Sequence, residues 1–396
     1  MPDRITLVTA LQGAGWHPAA WRTAGPAAQR LTSLRHWRDV VVEQDRLGVD
    51  AVTIEDSFTA GPVDAAGDLD TSTVVGRLDA LLVANAVAPA TRALGLVPTV
   101  SVTHTEPFHV ATGLQTLDHV SQGRAGWRIQ VSPTAREAAL FGRRPGGDEA
   151  SVLFDEAREV AEVVSRLWDS WDDDAIIRDV TTGRFIDRDR IHNAAFAGSF
   201  VSVHGASIVP RSPQGRPPVF SLAHRADAAA FAVDAADVVL VTPGYDGREA
   251  RDLLSEIRHL EQVAGSDVRR PVLADLAVLI GSSSAAAADA LASLDTAAGA
   301  PYASTSDTSV LATTVPELVT LIGDLRDLGF AGVRLRPLRI PLDSTAIARE
   351  LVPALVTAGL RADVASRPTA DLRTRLGIAP AVSRYASASA PVEVPA

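Results

Sequence analysis

"SQGRAGWRIQVSP", residues 121–133, reads as a turn, an apolar strand and a second turn, yet Arg128 and Gln130 sit close to the strand's carboxyl end. A side chain there has two destinations. It enters a core, where a guanidinium is very costly unless paired, or it faces a ligand at the mouth of a sheet. The sheet this strand belongs to decides between them, and the flanking sequence defines that sheet. Similar β-rich runs recur at 4–11 ("RITLVTAL"), 51–56 ("AVTIED"), 94–103 ("LGLVPTVSVT"), 217–222 ("PPVFSL"), 237–243 ("DVVLVTP"), 272–280 ("VLADLAVLI") and 332–337 ("GVRLRP"). With 124–131 they make eight. Helical patterns lie between them. Over 155–168, Val160, Val163, Val164, Leu167 and Trp168 recur at helical spacing; from Thr314 a capping pair with Glu317 precedes the stripe Leu318, Leu321, Ile322 and Leu325.

Eight strands that each precede a helix imply parallel pairing and predict an α/β chain closed into a (β/α)8 TIM barrel, a doubly wound sheet being the alternative. The barrel is expected to occupy residues 1–380 as one domain. Two stretches break the rhythm. Residues 173–216 are charged and then rich in Gly, Ser and Pro, and 298–313 are rich in Ala, Ser and Thr. They are expected as an insertion and an irregular segment near the carboxyl-terminal face, where long segments serve as lids. The tail, 381–396, is small, polar and proline-bearing and is expected to be flexible.

Composition excludes several chemistries. With 46% hydrophobic residues in 396, the chain can bury a large core, and its net charge of −11 includes no basic block, which disfavours a nucleic-acid groove or an anionic membrane surface. A small-molecule substrate is the default. There is no Cys, which removes disulfides, thiolate metal sites and a cysteine nucleophile, and no Lys, which removes a Schiff base and a P-loop lysine. The start lacks a secretory pattern and no apolar run approaches the roughly 18 residues of a membrane span, so a cytoplasmic protein is expected.

In a barrel the carboxyl ends of the strands carry the chemistry. Those ends here are polar: "GWHPAAWR" (15–22), Glu55 and Asp56, "SVTHTEP" (101–107), "RIQVSP" (128–133) and "SLAHR" (221–225). His17 and His104 are candidates to face one another across the mouth, since an imidazole donates or accepts a proton near neutrality. The bland alternative for each is structural hydrogen bonding. No metal-ligand spacing emerges, "WDDD" (171–174) reads as a solvated acidic turn, and GxSxG is absent. The serines of "GSSSAAAADA" (281–290) are explained by capping as well as by an anion site.

"HPAAWR", "LDHVSQGRAGW", "LWDSWDDDAIIRD…GRF" and "VPRSPQGRPPV" together resemble the flavin monooxygenases related to bacterial luciferase, in the branch of the nitrilotriacetate, dibenzothiophene-sulfone and long-chain alkane monooxygenases. The resemblance runs to "LRTRLGI" (372–378). It implies a TIM barrel, a homodimer or homotetramer, that takes reduced FMN from a separate NAD(P)H-dependent reductase and uses oxygen to oxygenate a small organic substrate. It keeps the family's acidic residue as Asp56 and its hydroxyl as Thr103 at the flavin; His17 and His104, from their strand-end positions, are the expected catalytic histidines, and Ser132 after "RIQV" is a further expected flavin contact.

Several positions depart from that pattern. The family's His and Tyr, four apart, fall on Ala150 and Phe154; its phosphate-holding Gly and Ser fall within "SLAHR"; its Asn after "GRAGW" is Arg128; and its late "GFNLRP" reads "GVRLRP" with Arg334. Arg128, Arg225 and Arg334, with His224, are candidate anchors for an anion, because a guanidinium offers a planar fork of donors. That anion is FMN phosphate, the tail of a deazaflavin or an acidic substrate. The opposite outcome is that the arginines pair with Asp56 or Glu106 and leave a flavin-free binding or partner subunit.

Overall fold

The computed structural model describes residues 4–63, 67–244, 247–266, 268–363 and 370–386. All eight runs form parallel strands: β1 (Thr6–Leu11), β2 (Ala51–Ile54), β3 (Gly95–Ser101), β4 (Trp127–Gln130), β5 (Val219–Leu222), β6 (Val238–Val241), β7 (Val272–Ile280) and, after an intervening strand, β9 (Gly332–Pro337). Each pairs with the next, and β9 pairs with both β7 and β1, so the sheet closes into a barrel. The doubly wound alternative is excluded.

Residues 298–313 are not irregular throughout. β8 (Val310–Thr313) adds to the outer edge of β7, which is nine residues long and projects beyond the ring. Ala277–Ile280 of that projection pair with Val310–Thr313. The segment before β8 is thereby carried to the barrel mouth.

The longer helices are α1 (Leu34–Leu47), α2 (Ala80–Val87), α3 (Pro107–Ser121), α4 (Ala135–Phe141), α5 (Ala150–Asp169), α6 (Ala226–Ala235), α7 (Gly247–Val263), α8 (Ser284–Ala298) and α9 (Val315–Leu328), with short helical turns after β9 and at Leu372–Arg375. α5 buries the expected stripe, from Leu153 through Val160, Val163, Val164 and Leu167 to Trp168, against α3 and β4. Thr314 and Glu317 form the expected capping box of α9. Inside the barrel, Val8, Ala51, Val97, Phe220, Val238, Leu240 and Leu273 fill the lower layers, and Leu372 and Leu376 plug the amino-terminal end. Gly95 makes room for that plug, since a Cβ there would lie 2.7 Å from Leu372 Cδ1.

The 173–216 insertion does not cover the mouth. It forms two small hairpins, Ile176–Asp179 with Arg184–Ile186 and Phe196–Ala197 with Ser202–Val203, and is fastened to the far ends of α3 and α5. Trp171 Nε1 donates to Ser207 O at 2.7 Å, the Ser207 hydroxyl to Gln115 at 2.8 Å, and the Gln214 amide to Asp118 at 2.6 Å. Asp118 lies at the end of α3 that precedes β4, so these contacts mark the amino-terminal end of the barrel. The reason is topological: the segment follows a helix and precedes a strand, and such connections lie opposite the active-site face.

The start of the expected flexible tail is docked rather than loose. Arg384 pairs with Glu162 at 3.0 Å and Tyr385 stacks on His192 with ring centroids 4.1 Å apart. Residues 387–396 lie outside the described residues. No helix among the described residues is long and apolar enough to cross a membrane.

Candidate functional site at the barrel mouth

Arg128 points into the barrel, and it is paired. Its inward neighbours follow from register: Thr99 of β3 lies opposite Arg128, Asp275 of β7 opposite Arg334, and Ala277 opposite Arg336 of β9. Arg128 Nη1 lies 2.9 Å from Glu55 and donates to Gln130 at 2.9 Å and Thr99 at 3.1 Å. Arg334, wholly buried, bonds Glu55, Asp275 at 2.7 Å and Thr53 at 3.0 Å. Arg336 bonds Asp275 at 2.5 Å and reaches out to Asp307. Three guanidiniums therefore face three carboxylates. Burial pushes the Glu55 and Asp275 carboxyls up, but the arginines, Arg128 foremost at Glu55 and Arg334 foremost at Asp275, hold both below the usual range. The layer is ionised and internally neutral.

This layer is the floor of a cavity of about 710 Å3, walled by Gln12, Trp16, Asp56, Ser57, Arg77 and Arg136 among others. A second cavity of about 390 Å3 adjoins it, sharing Trp16, Glu55, Arg77 and Asp307. Both sizes suit small-molecule sites. Trp16 stands between them. Its ring lies over the Arg336 guanidinium, 4.5 Å from the centroid, and its indole N–H donates to Ala10 O at 2.9 Å. Gly15 makes that placement possible: φ is +127° and a Cβ would fall 2.2 Å from Leu338 O. Asp56 accepts from the Ser57 and Ala80 amides at 2.8 and 2.9 Å, and burial raises its carboxyl above the ordinary value.

Of the residues singled out in the sequence, Asp56 and Arg128 meet here, joined by Gln130, whose amide donates to Asp56 O at 3.1 Å. The others are distributed differently. His17 lines the adjoining cavity, but both ring nitrogens are engaged: Nδ1 accepts from Ala19 N–H at 3.1 Å, so Nε2 is the donor to Asp295 at 3.1 Å. Burial lowers its pKa. It is held as a neutral structural imidazole and does not face His104. His104 adopts φ of +71°, stacks on Phe141 with centroids 5.0 Å apart, and leaves a buried Nε2 without a partner. Thr103 and Ser132 are bound to each other, Ser132 N–H donating to the Thr103 hydroxyl at 3.0 Å, and neither lines the cavity. His224 and Arg225 are exposed, and Arg225 pairs with Asp227 at 3.1 Å. The partners expected for the arginines are likewise elsewhere, since Asp56 serves backbone amides and Glu106 pairs with exposed Arg143.

Asp275, Arg336 and Trp16 were missed in the sequence. A signal existed for the first: Asp275 interrupts "VLADLAVLI" just as Arg128 interrupts "RAGWRIQV", an opposite charge in another buried strand. Opposite charges in buried strands of one closed sheet call for partners, and the structure gives Asp275 to Arg334 and Arg336 and Arg128 to Glu55.

An eight-stranded parallel barrel with a polar, cavity-bearing carboxyl-terminal mouth defines the broad class. Within it, the chain belongs to the luciferase-like monooxygenase family, whose profile matches residues 14–331. Among curated relatives, N-acetyl-S-(2-succino)cysteine monooxygenase of Bacillus subtilis (strain 168) is 30% identical over 283 residues, 69% of this chain and 62% of its own. Nitrilotriacetate monooxygenase component A of Aminobacter aminovorans is 32% identical over 220 residues, 54% of this chain and 48% of its own. The matches thus span about half to three-fifths of those relatives. The crystal structure of long-chain alkane monooxygenase superposes with a TM-score of 0.84 at 22% identity, covering 95% of this chain and 96% of that one, which establishes a common fold.

Proposed function

We propose that this chain is the cytoplasmic oxygenase component of a two-component flavin monooxygenase, taking reduced flavin from a separate NAD(P)H-dependent reductase and inserting one oxygen atom into a small organic substrate. The observation that carries the proposal is the cavity above the arginine–carboxylate floor, in a barrel of this family, at the face where such barrels keep their chemistry. Bound reduced flavin supplies the electrons and the oxygen chemistry.

The residues suit the ring better than the phosphate. The cavity takes a flat heterocycle, and Trp16 gives it an aromatic wall. At the positions where the resemblance puts phosphate donors, Ala150 has no polar group, and Phe154 packs on Phe231 with centroids 5.3 Å apart. Ala223 is buried and Arg225 is spent on Asp227. The cofactor is FMN or a flavin whose anionic end is held elsewhere.

The chain's own contribution is positional. The neutral floor fixes the depth of the site, and each guanidinium on it is restrained by at least two bonds. His104 has an uncommitted but buried Nε2 and lines neither cavity, so it serves as a proton donor only if its ring turns toward the mouth, whereas His17 acts by holding the first loop. Burial, with Arg144 nearby, lowers the His104 pKa, so the neutral ring, which carries one N–H, prevails at neutral pH. Anaerobic titration with photoreduced FMN, followed by mixing with oxygenated buffer, tests the assignment. Saturable binding and a reoxidation rate altered by the protein are expected; reoxidation indistinguishable from free flavin at every protein concentration contradicts it.

A further inference from the structure

The guanidiniums at the mouth are directly paired except at one place. Arg128, Arg334 and Arg336 are matched by Glu55, Asp275 and Asp307, while nearby Arg144 is matched by Glu156 at 2.8 Å and Asp148 at 3.3 Å. Arg77 and Arg136 also line the cavity, and among the described residues neither has an ion pair or hydrogen bond. Carboxylates stand close enough to line the same cavity, but they are committed. Asp56 accepts two backbone amides, and Glu137 caps α4 through the Thr134 hydroxyl at 2.8 Å and the Thr134 amide at 3.3 Å. On the floor, Arg128 is buried and its Nε has no acceptor. The rim therefore carries two guanidiniums with no direct ion-pair or hydrogen-bond partner, their charge balanced only at a distance by Asp56 and Glu137, above a floor that is neutral and short of one acceptor.

We infer that Arg77 and Arg136 form an anion clamp, which binds a carboxylate or phosphate oxygen group on the molecule lodged in the mouth. The chemistry is that of a guanidinium fork on a planar or tetrahedral oxyanion, for which arginine is better suited than any other side chain. Two molecules in the proposed reaction supply such a group: the phosphate of the flavin, whose expected donors are missing at Ala150 and Phe154, or an acidic substrate. This inference rests on the mouth being the ligand site.

The test uses the full chain and the variants R77A, R136A and the double variant. Both side chains are exposed and unpaired, so thermal unfolding is expected to stay as in the wild type. Binding of oxidised FMN and riboflavin is followed by flavin fluorescence, and binding of succinate, as a dicarboxylate probe, by calorimetry. If the clamp takes the flavin phosphate, FMN binds about tenfold to a hundredfold more tightly than riboflavin, and the double variant erases the difference. If it takes a substrate carboxylate, the two flavins bind alike and succinate weakens by a similar factor in the double variant. The inference is overturned if the wild type neither prefers FMN nor binds succinate, or if the double variant leaves all three affinities within twofold. Should no flavin bind the wild type, the oxygenase assignment falls, while the succinate arm still decides the clamp.

Discussion

Arg128 shows how one residue is read differently alone and in its sheet. Its burial is tolerated because Glu55 lies 2.9 Å away, and Glu55 is in turn held by Arg334. Removing one member of a buried ion pair costs about 3–5 kcal/mol, because the remaining charge has no solvent. Asp275 serves both Arg334 and Arg336, so Asp275→Asn is expected to lower unfolding free energy by about that amount. Arg128→Asn is expected to cost less, since Glu55 keeps Arg334; urea denaturation of the two variants checks the order. The pH dependence has a definite sign. Glu55 and Asp275 have folded pKa values below their unfolded ones, so the stability they contribute is present above the ordinary carboxylate range, about 4, and is lost as pH falls through the folded values. Arg334→Met removes the cation both share, and its acid-unfolding midpoint should move to higher pH; an unchanged midpoint, followed by circular dichroism, contradicts the coupling. The guanidiniums of this layer were legible as anomalies in apolar strands. Their acceptors were not, because which carboxylates face them depends on a register that joins residues 55, 275 and 334 across the closed sheet.

Among the elements, strands and helices were the most legible, since β-branched runs and the 3.6-residue stripe of α5 are local signals. β8 was hidden because "VLAT" is embedded in Ala, Ser and Thr and pairs only with the projecting end of β7. The side of the barrel taken by residues 173–216 was inferable from chain order alone, as a connection from helix to strand. Its position makes two expectations. Gln214→Ala, which strips Asp118 and Ala125 O of a buried donor, should destabilise the chain by about 1–3 kcal/mol. Replacing 176–186 by a short Gly-Ser loop should leave flavin affinity unchanged, since that hairpin is remote from the mouth. A large loss of flavin affinity in a folded loop variant, measured by fluorescence titration, would restore the lid.

At the scale of the whole molecule, the barrel opens into a polar mouth, and the uppermost layer of its interior is an ion network. The lower layers are apolar and are closed by Leu372 and Leu376. Above the network, the loop after β1 brings Trp16, the loop after β2 brings Asp56 and Arg77, and the segment before β8 brings Asp307. With the segment after β4, which brings Arg136 and Glu137, these loops wall the cavity proposed for the flavin. Its most direct examination is a crystal structure of the full chain grown with FMN. The ring is predicted against Trp16 and above intact Arg128–Glu55 and Arg336–Asp307 pairs, whereas an FMN bound outside the mouth, or an unfilled mouth at saturating FMN, contradicts the assignment.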